Sequence, residues 1–282
     1  MSIEIIISEN EDGVKLGEVL LHRGVSRRLI TRLKRIPNGI TRNNKLIRTI
    51  DVVRQGEKII LSESDSKFLE PNGEIDVEIL YEDDQLVVFN KPPFMPVHPS
   101  IKHQGDTLGN FFAYHCKGLT FRPINRLDKD TSGCVIVAKN QFSAKALQCS
   151  YDKVYYAICE GVFSVQSGTI SEPIGREDAS IIKRCVDPNG QKAVTHYKVL
   201  KQYDKYAIAE FVLENGRTHQ IRVHMSYIGH PIVGDDMYGG SRDEFNRQAL
   251  HCGKISFLHP ISNKKIVITA KSEIFEPLLQ SR

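Results

Sequence analysis

The stretch Pro123-Ile124-Asn125-Arg126-Leu127-Asp128-Lys129-Asp130-Thr131-Ser132-Gly133 runs without a break into CVIVAK (134–139). An apolar run of this length after a polar turn reads as a buried strand. The turn sets the carboxylate of Asp128 beside Arg126, and Thr131, Ser132 and Gly133 shape the entry to the strand. A carboxylate held near a guanidinium stays ionised at neutral pH, and can then act as nucleophile or base. The same features also describe an aspartate that accepts a backbone N–H in a turn, which is the commoner use. A phosphatase-type aspartate does not fit. Its D-x-D-x-T follows an apolar strand, whereas here D-K-D-T precedes one, with no acid pair placed for magnesium.

Outward from this stretch, IDVEILYEDDQLVVFNKPP (75–93) begins a new apolar pattern, with VVF as a buried strand ending at a turn. Further strands are expected at 155–163, 195–203, 206–213, 218–225 and 264–270, and a helix at 141–150. Many strands with few long helices indicate an α+β fold: a large, mainly antiparallel mixed sheet flanked by helices and loops. In a strand at 218–225, Thr218, Gln220, Arg222 and His224 share one face, opposite Arg217, His219, Ile221 and Val223. Arg222 and Arg217 would then do different work, and His219 and His224 would not converge on a metal.

The N-terminal part differs in charge. Between Arg23 and Lys58 eleven Lys/Arg face two acids, a local excess of +9 in a chain whose net charge is +4. That asymmetry points to a polyanionic partner. Ser26 reads as the N-cap of a helix on which Leu29, Ile30, Leu33 and Ile36 form one stripe. Arg28, Arg32 and Arg35 share another face, with Arg27 and Lys34 beside the far edge of the stripe. A Pro37-Asn38-Gly39 turn leads to short β-like pieces, ITRNNKLI (40–47) and EKIILS (57–62). Ser62–Gly73 is polar, carries Pro and Gly, and reads as a linker. The expected organisation is an N-terminal unit at 1–65, a link at 66–75 and a larger domain at 76–282.

With 40% hydrophobic and 26% charged residues, the 282-residue chain is of ordinary globular composition. No run approaches the 18–20 apolar residues of a membrane helix. The start, MSIEIIISENEDG, lacks a basic signal-peptide region, so a cytoplasmic protein is expected. Cys116, Cys134, Cys149, Cys159, Cys185 and Cys252 form no C-x-x-C or zinc spacing and read as reduced thiols. No metal is expected. No nucleotide-binding glycine loop or cofactor motif is present, so none is expected there either.

RLDKDTSG (126–133) resembles the R-L-D-x-x-T-S-G signature of the RluA-type pseudouridine synthases. Matching segments follow the family's order: Asn90-Lys91-Pro92-Pro93 with Val97-His98-Pro99; Lys153-Val154-Tyr155-Tyr156-Ala157 with Gly161; and Gly216-Arg217-Thr218-His219-Gln220-Ile221-Arg222-Val223-His224. Then come Gly229-His230-Pro231-Ile232-Val233-Gly234-Asp235, Leu250-His251 and His259-Pro260. Together they span about residues 76–270. Residues from about Lys15 to Leu61 resemble the small S-four-like RNA-binding domain, through LGEVL, S-R-x-x-I-x-x-L and G-E-K-I-I-L.

The resemblance implies an RNA uridine isomerase. It assigns Asp128 as the catalytic aspartate, Tyr155 as the stacking partner of the target base, and Arg222 as the partner of Asp128. Arg126 would brace the gap left by the uridine, with Asn125 and Thr131 also at the substrate. The family commonly has His where Asn125 stands, so proton transfer is not expected there. Asp128 would attack ribose C1′ or uracil C6, or remove a ribose proton. Arg27, Arg28, Arg32, Lys34 and Arg35 would bind RNA phosphates. Large-subunit ribosomal RNA is the expected substrate and a monomer the expected state. Transfer RNA, or a non-catalytic ribosome-assembly role, are the alternatives.

Overall fold

The computed structural model describes residues 2–36, 38–62, 69–100, 102–148, 151–177, 182–272 and 274–275. Pro37, Cys149, Ser150, linker residues 63–68 and the end of the chain from 276 lie outside the described residues.

The N-terminal part contains the capped helix after Ser26 and the short β pieces that its sequence predicts, and a further strand at its start. Strand β1 (Ser2–Ile6) is followed by helices α1 (Leu16–His22) and α2 (Arg27–Leu33), then β2 (Ile40–Arg42), β3 (Lys45–Leu46) and β4 (Lys58–Ser62). The sheet order is β1-β4-β2-β3. Ser26 caps α2 by accepting the Leu29 N–H at 3.1 Å. Leu29, Ile30 and Leu33 turn inward onto a separate core with Leu16, Leu20, Val53 and Ile59. Arg27, Arg28, Arg32, Lys34 and Arg35 are exposed.

The larger part is a nine-stranded sheet. Its strands are β5 (Glu78–Glu82), β6 (Leu86–Lys91), β7 (Ser132–Ala138), β8 (Tyr151–Glu160), β9 (Ser167–Ile170), β12 (Thr195–Gln202), β13 (Tyr206–Leu213), β14 (Leu250–Leu258) and β15 (Lys265–Thr269). The order is β5-β6-β7-β14-β8-β13-β12-β9, with β15 paired to β14. The β7–β14 pairing is parallel and the others are antiparallel, as the mainly antiparallel reading requires. A separate ribbon joins β10 (Ile174–Arg176) to β11 (Arg184–Val186). Helices α3 (Leu108–His115) and α4 (Gln141–Leu147) pack beside the sheet, α4 where a helix was expected. The second half of the expected linker is docked: Asn110 donates to the Glu70 carbonyl at 2.7 Å, and Asn72 N–H donates to the Asn110 carbonyl.

One strand expectation is corrected. The sequence predicts a strand at 218–225, with Ile221 and Val223 on the face opposite Arg222. The chain instead forms helix α5 (Gln220–Tyr227). This helix is buried all round from Gln220 to Met225, so its polar residues carry no solvent-face signal. Each finds a partner inside: Gln220 donates to the Val194 carbonyl, and His224 meets the Thr195 hydroxyl and the Glu172 carbonyl.

Gly133 fixes where β7 meets β14. It pairs with Cys252, and its φ of 114° lies in the region glycine favours. A Cβ there would overlap the Cys252 carbonyl. Gly133→Ala should therefore cost at least about 2 kcal/mol, from backbone strain and overpacking together. Urea unfolding measures this, and an unchanged midpoint would contradict so close an approach of the two strands.

Candidate active site

Asp128 sits in the turn ahead of β7, where the Thr131 N–H donates to the Asp128 carbonyl. The turn is anchored from several sides. Lys91, at the end of β6 and fully buried, donates to the carbonyls of Pro92, Met95 and Lys129 at 2.7–2.9 Å. All three ammonium protons are thereby used. Burial pulls the Lys91 pKa down to about 7, partly opposed by the nearby Asp130 carboxylate. Arg247 donates to the Asp130 carbonyl, and Gln248 to the Thr131 hydroxyl.

Asn125 was expected at the substrate. Its amide instead donates to the Cys134 carbonyl and accepts from the Ile136 N–H, both at 2.9 Å. It is 3% exposed and its polar atoms are committed to β7, so it positions the turn and does not line the cavity.

The cavity at Asp128 is bounded by Arg126, Thr131, Tyr155, His219 and Arg222, with apolar walls from Leu213, Ile221 and Leu250. Tyr155, on β8, turns into it, while Tyr156 faces away towards Phe275. Burial raises the Tyr155 phenol well above its ordinary pKa, helped by nearby Cys252 and Asp128, so it stays protonated. Arg126 is exposed at the cavity mouth.

Helix α5 brings Arg222 to Asp128. Its Nη1 stands 3.3 Å from Asp128 Oδ2. On its other edge, Nε and Nη2 donate to the two oxygens of Asp235 at 2.7 and 2.8 Å, a bidentate pair. Tyr238 lies under the guanidinium, with its ring centre 4.9 Å away. Burial acts to lower the Arg222 pKa, but Asp235 and Asp128 together hold it above its ordinary value. The cation is therefore permanent.

Asp235 is a site residue that sequence reading missed. Asp235 is 1% exposed and sits in a tight turn closed by its own carbonyl, which accepts from Tyr238 and Gly240. The glycine before it (φ 80°) leaves no room for a Cβ against the Arg247 carbonyl. His219 was missed because the strand reading put it opposite Arg222. At i and i+3 around a helix start the two meet on one side, and His219 Nε2 lies 3.8 Å from Asp128 Oδ2. His219 is a left-handed residue (φ 60°), a strained conformation for a side-chain-bearing residue. Its Nδ1 is 2.8 Å from the Tyr238 hydroxyl, which also accepts the Arg184 N–H. The Tyr238 proton is thus free to point at Nδ1, leaving the His219 proton on Nε2 towards Asp128. Burial lowers the His219 pKa, so the ring is neutral at neutral pH. Arg217 lies at the edge of the cavity, and its Nε donates to the Lys192 carbonyl. It does differ in task from Arg222, though not through opposite strand faces.

Removing the bidentate partner strands a buried cation. Asp235→Ala should destabilise the fold by about 3–5 kcal/mol. Asp128→Asn should cost about 1 kcal/mol or less, since Asp128 is partly exposed and Arg222 keeps Asp235. Equal losses in urea unfolding would contradict this division of labour.

A family model described as RNA pseudouridylate synthase matches residues 85–227. The chain is 37% identical to the RNA pseudouridine synthase YhcT of Bacillus subtilis, over 95% of this chain and 93% of that one. It is 36% identical to the ribosomal large subunit pseudouridine synthase D of Pseudomonas aeruginosa, over 80% of this chain and 78% of that one. Among solved structures it is similar to human RNA pseudouridylate synthase domain containing 1. There the TM-score is 0.62 at 28% identity, covering 75% of this chain and 89% of that one. With these likenesses laid over a carboxylate, a buried tyrosine and a fixed arginine at one cavity, the chain belongs to the RNA pseudouridylate synthase family, of the RluA type, and is an isomerase that converts uridine to pseudouridine in RNA.

Proposed function

We propose that this enzyme modifies uridine in large-subunit ribosomal RNA, with Asp128 as the nucleophile. The observation that carries the chemical part is the Asp128 carboxylate facing the fixed Arg222 cation at 3.3 Å, on a cavity walled by Tyr155. Arg222 supplies a counter-charge that does not reorganise during reaction. Isomerisation breaks the N1–C1′ bond and joins C1′ to C5; overall C5 loses a proton and N1 gains one. A base leaves its RNA stack at a cost of a few kcal/mol. Stacking on Tyr155, at roughly 1–3 kcal/mol, offsets part of that. Arg126, at the cavity mouth, braces the vacated position, and Thr131 lines the cavity beside it.

The ribosomal assignment is supported by the name of the Pseudomonas relative. In this reading residues 1–65 are an S-four-like RNA-binding domain joined through 66–75 to the catalytic domain at 76–282. Its separate sheet and core support that division. Arg23, Arg42, Arg48, Arg54 and Lys58 are spent in ion pairs with neighbouring acids. Arg27, Arg28, Lys34 and Arg35 have no ion pair among the described residues. With Arg32 they form the exposed face offered to phosphates, which contributes affinity and register but no sequence reading. A cytoplasmic monomer with an open cleft suits such a substrate; among the described residues no helix is long and apolar enough to cross a membrane.

Pseudouridine mapping in cells with and without the gene tests the substrate. Modification should disappear at one or a few uridines of large-subunit ribosomal RNA and return with the gene. Loss confined to transfer RNA would overturn the ribosomal assignment.

A further inference from the structure

A second cleft adjoins the catalytic cavity, and Arg217 lines both. It has a volume of about 400 Å³ and is bordered by Arg176, Arg184, Asp187, Asn189, Arg217 and Thr218. Three guanidinium groups thus face one carboxylate. That carboxylate is already engaged locally, since Asp187 Oδ1 accepts the Asn189 N–H at 2.9 Å.

Arg176 and Arg184 are directly opposed on the β10–β11 ribbon. Among the described residues, Arg184 Nη1 is buried and has no hydrogen-bond partner. An unsatisfied buried donor is unfavourable in the protein alone, more so on a charged group. A bound anion relieves it, and the guanidinium fork matches the oxygens of a phosphate.

The cleft is also tied to the catalytic carboxylate. The Arg184 backbone N–H donates to the Tyr238 hydroxyl, which meets His219 Nδ1, and His219 Nε2 faces Asp128. β11 is therefore held in fixed register with Asp128.

We propose that this cleft is a phosphate subsite: Arg184, with Arg176 and Arg217, binds a backbone phosphodiester of the same RNA whose uridine occupies the catalytic cavity. The inference rests on the RNA-modifying reading above, and it goes beyond it in naming a second contact outside the N-terminal basic face. A phosphate gripped here fixes the strand next to the flipped nucleotide, so that the base enters in one register.

The test uses the full-length chain and in-vitro-transcribed, unmodified large-subunit ribosomal RNA, with affinity measured against salt concentration. Each phosphate contact contributes about 0.7–0.9 to the slope of log K against log salt. Arg184→Gln should weaken binding several-fold and lower the slope by that amount, and Arg184→Lys should keep most of the slope. The Tyr238 bond uses the Arg184 backbone, so the substitution leaves it in place, and thermal melting checks that the fold persists. Arg176→Gln, on the opposite strand, should act in the same direction. Unchanged affinity and slope in both glutamine variants would overturn the subsite. This readout needs no turnover. If gene loss removed no pseudouridine while Arg184→Gln still lowered the slope, the ribosomal reading would fall and the subsite would stand.

Discussion

Arg222 carries a permanent positive charge into a nearly dry part of the protein, and the site is organised around keeping it there. A buried cation is tolerable only when its partners are close and well aligned. Asp235 supplies that alignment through two parallel hydrogen bonds, and Tyr238 supplies a ring beneath the guanidinium. The third side of the fork is left to Asp128. One carboxylate is thus structural and fully buried, while the other keeps access to the cavity. The same arginine serves both, so folding energy and chemical readiness are coupled through a single side chain.

Around this pair, the backbone is fixed by contacts that do not take part in chemistry. The parallel meeting of β7 and β14 at Gly133 brings the end of the Asp128 turn against Cys252, beside Tyr155 of β8. Lys91 ties the turn to the end of β6, and Asn125 ties its start to β7. A side chain on a turn is only as well placed as the elements that hold the turn. Here these come from strands β6 and β7 and from residues just before β14. His219 adds a strained backbone and a directed Nε2 proton, which brings the ribbon strand β11 into the same network through Tyr238.

Much of this was legible in the sequence. The strands at 134–139, 195–203, 206–213 and 264–270 announced themselves by apolar runs between turns, and β13 was read at its observed ends. The basic helix showed its cap and its apolar stripe. Asp128, Tyr155, Arg126 and Thr131, to which the resemblance gives roles at the substrate, line one cavity. What failed had physical causes. Period-based reading assumes that polar residues face water, and α5 buries its polar residues against internal partners. Its alternation therefore imitated a strand, and His219 was turned away from Arg222 by that error. Asp235 gave no local signal, because its value lies in a partner thirteen positions earlier in the chain. Asn125 was placed at the substrate by motif position, but a buried amide follows its hydrogen bonds, and those lead to β7.

The central claim is that Asp128 performs the bond exchange while the rest of the site holds it and the uridine in place. Asp128→Asn keeps shape and hydrogen-bonding capacity but removes the charge that faces Arg222. The most direct measurement is pseudouridine formation by that variant on unmodified large-subunit ribosomal RNA, taken together with its affinity for the same RNA. The account predicts affinity close to that of the unmodified enzyme and no detectable pseudouridine. Turnover comparable to the unmodified enzyme would contradict it.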